Sequence, residues 1–265
     1  SKFAKSQQRA TATKPFTEGV FQLVTELGAA AGDLTHPLIT GAPVKGAPAP
    51  ELILVITSDR GLCGSYNGQV LRAAQELFRS LRSAGKGMKT ELVGKKGAAF
   101  LRFVGMPVDE RHVFGDVPRY EEVERLAQKY MDRFMAGEVS SVRVVYMKFI
   151  SAGRQRPEVL QLLPLRTPEG KKGDQPAGPK VVYEFSPSAE ELLNELLPAA
   201  VKATLFQAFN DAIVSEHIAR MVAMKSATDN AGKMGKLLTR KYNRARQAQI
   251  TTELTEIVTG AAALE

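Results

Sequence analysis

From residue 188 to residue 264, apolar positions recur at helical spacing with hardly a break. Ala227, Ala231, Met234 and Leu238 step by four, three and four, and Ile250, Leu254, Ile257, Ala261 and Leu264 step by four, three, four and three. Two apolar residues per heptad make a seam narrower than the face of a globular core helix, and such a seam belongs to a coiled coil. At about 1.5 Å per residue, the roughly 77 residues of this stretch would form a rod of about 115 Å. Lys241 stands where the first seam would continue, so packing is interrupted there. The start has two readings: a capping box over Ser188 to Glu191, or Pro187 as the first helical residue behind Ser186. Beyond it, Pro198 either kinks the path or opens a second helix.

A seam needs a partner helix, and the other chain end offers one. Phe16, Val20, Leu23, Val24 and Leu27 are spaced like one helix face, with Pro15 kinking or starting the segment. Two antiparallel helices, one from each terminus, are expected. The stretch from Ser1 has no helix-start signal, so further helix is expected ahead of it.

The middle has a different rhythm. After a Gly- and Pro-rich loop over residues 41–50, Leu52 to Ile56 is continuously apolar, as in a strand covered on both faces. A helix is predicted over residues 70–81, a short strand over 91–93, helices over 97–104 and 120–135, and strands over 142–149, 159–165 and 181–185. Alternation of this kind predicts a mostly parallel α/β layer, with an antiparallel hairpin open to the last two strands. Residues 167–179 lack periodicity and read as a mobile loop. The expected plan is an antiparallel two-helix coiled coil from both chain ends (residues 1–40 and 187–265) with an inserted Rossmann-like α/β domain (residues 51–186).

Composition adds exclusions. No apolar run approaches the length of a membrane-crossing helix, and the first residues lack the apolar core of a secretory signal. Cys63 is the only cysteine, so no internal disulfide forms, and His36, His112 and His217 have no zinc-ligand spacing. The default compartment is the cytoplasm. The net charge of +8 is concentrated: Arg220, Lys225, Lys233, Lys236, Arg240, Lys241, Arg244 and Arg246 face only Asp229 across that stretch. A solvated helix face is the plain reading, nucleic acid and an acidic protein surface the sharper ones. Tyr242 alone interrupts the run as an aromatic, and no nucleic-acid-binding signature is present, which favours acidic protein.

The turn after the first strand, Thr57 to Gly68, is Gly-rich and lies where open α/β sheets bind phosphates. Its spacing matches neither the dinucleotide fingerprint nor the P-loop, and a tight structural turn is the simpler reading. Cys63 has no histidine near it and reads as a small packed hydrophobe rather than a nucleophile. No catalytic constellation, cofactor site or metal site emerges.

The residues 56–64, Ile-Thr-Ser-Asp-Arg-Gly-Leu-Cys-Gly, resemble a signature of the gamma subunit of F-type ATP synthase. The stretch from Tyr242 to Val258 is similar to that family's C-terminal signature, and Met221 to Asn230 and Tyr183 to Pro187 match as well. The resemblance implies a non-catalytic central-stalk rotor inside a ring of three alpha and three beta subunits. It further implies a body near the epsilon subunit and the membrane c-ring, peripheral on the cytoplasmic face of the cell inner membrane. The resemblance implies coupling of proton-driven rotation to ATP synthesis, with no nucleic-acid partner and no direct span of the membrane. By motif match, Arg246, Gln247, Thr251 and Glu253 are expected to make polar contacts to the ring, with Lys225 on the same helix. Ile257, Ala261 and Leu264 are expected to form an apolar tip.

Overall fold

The computed structural model describes residues 15, 19–20, 36–41, 49–115, 117–165 and 189–264. Among these run α1 (Pro37–Thr40), β1 (Glu51–Ile56), α2 (Tyr66–Ser83), β2 (Met88–Val93), α3 (Lys95–Phe103), β3 (Glu110–His112), α4 (Tyr120–Met135), β4 (Ser141–Ser151), β5 (Arg154–Leu163) and α5 (Ala189–Ala262). The five strands form one sheet in the order β3-β2-β1-β4-β5. All neighbours are parallel except β4 and β5, which pair antiparallel.

The apolar run of β1 is explained by its central place. Leu52, Leu54 and Ile56 point into one core with α4 and the first part of α5, while Ile53 and Val55 point into the other with α2 and α3. Alternate side chains of a strand leave opposite faces, so a strand covered on both sides must be apolar throughout. On α2, Val70, Leu71, Ala74, Leu77, Phe78 and Leu81 are buried at helical spacing. On α4, Val123, Leu126, Ala127, Tyr130, Met131 and Phe134 do the same.

Two compact units divide the chain, Ser1–Arg220 and Met221–Glu265, and α5 contributes to both. Within the first unit Leu193, Leu197, Val201, Leu205 and Phe209 of α5 are at most 2% exposed. That burial corrects the expectation of a second helix opening at Pro198, because α5 is helical straight through it. An internal proline costs about 3 kcal/mol, and burying large apolar side chains on either side, at roughly 1.5 to 3 kcal/mol each, outweighs it.

Other expectations shift slightly. The predicted short strand at residues 91–93 extends back to Met88, and α2 begins four residues earlier than its apolar pattern. β4 and β5 pair antiparallel through a tight connection, whereas the hairpin expected between the strands over 159–165 and 181–185 involves residues outside the described ones. Neither β3 nor α1 is marked by periodicity: β3 is three residues of edge strand, and α1 is one turn capped by His36, whose Nδ1 accepts from the Leu38 N–H at 3.1 Å. The strand over 181–185, the helix start at Ser186 to Ser188 and the loop over 167–179 lie outside the described residues. So does nearly all of the N-terminal helix; Pro15, Gly19 and Val20 are helical, and Val20 is buried.

Candidate partner-contact surface

From Met221 onward α5 is exposed along its whole described length apart from a half-buried Ala223. Met234, Leu238, Ile250, Leu254 and Ile257 are each more than half exposed, as is Leu264 at the helix end. Large apolar side chains in such a series mark a surface made to be covered. Lys225, Lys233, Lys236, Arg240, Lys241, Arg244 and Arg246 lie on the same segment, and among the described residues no ion pair involves residues 221–264. Among the described residues the charge there is uncompensated.

Helical geometry sorts the expected contact residues. At about 100° per residue, Ile250, Leu254, Ile257, Ala261 and Leu264 fall within an arc of about 80°. Arg246 and Glu253 lie along one margin of that stripe, and Gln247 and Thr251 beyond the other, about 20° and 60° away. The polar candidates therefore flank the apolar stripe on both sides. Lys225, about ten turns below Ala261, shares its azimuth. The earlier stripe through Ala227, Ala231, Met234 and Leu238 is rotated from the second by about 130°, which accounts for Lys241 at the break.

Several of these groups are tied to their own helix. Thr251 Oγ1 donates to the Gln247 carbonyl at 2.9 Å, and Gln249 Nε2 donates to Glu253 Oε1 at 3.0 Å. Thr228, Thr239, Thr252, Thr255 and Thr259 likewise donate to the carbonyl four residues back. Their hydroxyl protons are thus satisfied without a partner, leaving the acceptor lone pairs outward. The Arg246 guanidinium has no such tether among the described residues.

The turn after β1 is filled by its own side chains. Ser58 N–H donates to Asn67 Oδ1 at 3.0 Å, and Asn67 Nδ2 donates to Ser58 Oγ at 2.7 Å. Asp59 Oδ1 accepts from the Lys95 N–H at 3.0 Å. Cys63 is 2% exposed, as a packed hydrophobe should be. These bonds make the segment a braced turn.

Solved structures set the class. The chain matches the rotor of the Euglena gracilis mitochondrial ATP synthase with a TM-score of 0.55 at 18% identity, covering 94% of this chain and 96% of that one. A second structure, the OSCP/F1/c-ring assembly of the same enzyme, matches with a TM-score of 0.57 at 17% identity, over 99% of this chain and 92% of that one. A sheet-centred body joined in sequence to one long C-terminal helix is thus the fold of a central-stalk protein.

Sequence comparison narrows the class. The ATP synthase family model matches residues 1–264. The ATP synthase gamma chain of Rhodopirellula baltica is 40% identical across all of this chain and 90% of its own length, and that of Delftia acidovorans 38% with the same coverage. This chain belongs to the ATP synthase gamma-chain family, the central-stalk rotor subunits of the F1 sector.

Proposed function

We propose that this chain turns inside a hexamer of alpha and beta subunits, coupling proton-driven rotation of a membrane c-ring to ATP synthesis while catalysing nothing itself. The observation that carries the reading is the segment of α5 from Met221 onward, whose apolar stripes are exposed and whose cations make no ion pair among the described residues. Its partner along the seams is the N-terminal helix, giving a discontinuous shaft of residues 1–40 and 187–265 around an α/β domain over residues 51–186. The epsilon subunit and the c-ring meet the body. The chain attaches peripherally at the cytoplasmic face of the inner membrane; among the described residues no helix is long and apolar enough to cross a membrane.

Three identical catalytic subunits around a symmetric axle would behave alike, whereas a lopsided axle touches each differently and biases its open or closed state. Coupling of this kind is reciprocal: rotation changes nucleotide affinity, and nucleotide turnover drives rotation. Exposed ion pairs, worth about 0 to 1 kcal/mol each, suit Lys225, Arg246 and Glu253 to transient contacts with polar loops of the ring, alongside Gln247 and Thr251. Such pairs hand force over without a deep trap. Ile257, Ala261 and Leu264 sit in an apolar sleeve.

Purification of the tagged chain from cells tests the reading: an ATP-hydrolysing alpha/beta hexamer is expected to accompany it. Stoichiometric ATP or NAD binding by the chain alone, or salt-sensitive binding to DNA or RNA, would replace it with an enzyme or a nucleic-acid binder.

A further inference from the structure

The braced turn after β1 is also gripped from α5. Arg220 Nε donates to the Gly61 carbonyl and Arg220 Nη2 to the Arg60 carbonyl, each at 3.4 Å. Glu216, one helical turn earlier, accepts from Arg220 Nη2 at 2.6 Å and orients the guanidinium. The Arg60 carbonyl also receives the Ser58 hydroxyl at 2.7 Å. At the crest stands Leu62, with φ of 62° and 72% of its surface exposed. A non-glycine residue in left-handed backbone is strained, and such strain persists only where the surroundings over-determine it. Bonds from 58, 67 and 220 supply that over-determination.

The contacts of α5 just before this point are mostly apolar, with one hydrogen bond among them. Phe149 packs with Val214 and Ile218, and Ser215 Oγ donates to the Met147 carbonyl at 3.3 Å. Apolar packing resists separation but has no preferred direction, so it yields readily when a helix rolls about its axis. A planar guanidinium spanning two successive carbonyls does have a direction, and rolling α5 would carry it off both acceptors. Because α5 continues unbroken from Arg220 into Met221, a twist applied further along the helix arrives here.

We propose that Arg220, oriented by Glu216, is a positioning residue: it clasps the turn at Arg60 and Gly61 and locks α5 against rolling on the sheet, so that torque passes without slip. The assignment rests on the rotor reading.

The test uses the complete ATP synthase carrying Arg220→Gln, Arg220→Lys or Arg72→Gln, the last a charge-matched control at an exposed position on α2. Two quantities are read: backbone amide exchange over residues 61–64, and protons pumped per ATP hydrolysed in sealed vesicles. With Arg220→Gln, exchange is expected to rise by about three- to tenfold, the scale of one lost hydrogen bond. Pumping per ATP falls while the hydrolysis rate holds. Arg220→Lys, a point charge that cannot span both carbonyls, gives an intermediate result, and Arg72→Gln matches the wild type. Should Arg220→Gln fail to assemble, Arg220→Lys carries the same two readouts. Unchanged exchange, or faster exchange with unchanged pumping, overturns the clasp and leaves the rotor reading standing. A wild-type chain that never joins a hexamer overturns the rotor reading instead.

Discussion

Arg133 Nη1 lies 2.7 Å from Glu91 Oε1, pairing a cation of α4 with a carboxylate of β2 that is only 1% exposed. The other carboxylate oxygen accepts from the Tyr130 hydroxyl at 2.8 Å and meets His112 Nε2 at 2.6 Å. Burial pushes this carboxyl up, but the bonds from His112, Tyr130 and Arg133 together outweigh it and hold the group at about 2 instead of 4.5. A depressed folded value means that the stabilisation is present above pH 4.5 and is lost as pH falls from there toward 2. The shift corresponds to on the order of 3 to 4 kcal/mol. Urea midpoints at pH 7, 4.5 and 3 should fall across the lower interval, and Glu91→Gln should lower the midpoint at pH 7 while flattening that acid dependence. An equally steep acid loss in the variant would show that Glu91 is not its source.

Two glycines separate backbone strain from collision. Gly105 has φ of 68° with nothing within 4 Å of an added Cβ, whereas Gly94 has φ of 92° and an added Cβ would lie 2.2 Å from the Thr57 carbonyl oxygen. Gly105→Ala should therefore cost about 1 to 2 kcal/mol, the left-handed penalty alone. Gly94→Ala must also push β1 away from the start of α3, and its cost should exceed about 3 kcal/mol. Chemical denaturation of the two variants side by side checks the order; equal losses would refute it.

Reversal of charge at Arg246 should leave the folded chain nearly untouched. The residue is exposed and in no ion pair among the described residues, so Arg246→Glu should shift the stability of the chain by no more than about 0.5 kcal/mol. In the assembled synthase the same change should impair coupled turnover. Thermal melting of the chain and proton pumping by the complex make the comparison, and normal coupling would remove Arg246 from the contact set.

Much of the architecture can be read along the chain because burial repeats with the period of each element. Leu52 to Ile56 announces a central strand, and the buried spacing on α2 and α4 is a helical one. The apolar steps from Ala227 to Leu264 likewise mark a helix with two stripes, as observed. Elements too short to carry a period escaped: β3 is defined by pairing with β2, and α1 by the His36 cap. Of the two readings of Pro198, a kink or a second helix, the second fails because it weighed a local penalty without the core contacts on either side.

Local chemistry alone thus dictated helix and strand periodicity, the long C-terminal helix, the concentration of positive charge and the family signatures, since each depends on residues near one another in sequence. Which carboxylate is held by Arg133, which turn is gripped by Arg220 and which strand runs antiparallel were decided only by tertiary packing. Those relations join groups as far as 160 residues apart. No periodicity encodes them; they arise when buried polar atoms must find partners and the folded backbone limits which ones are within reach.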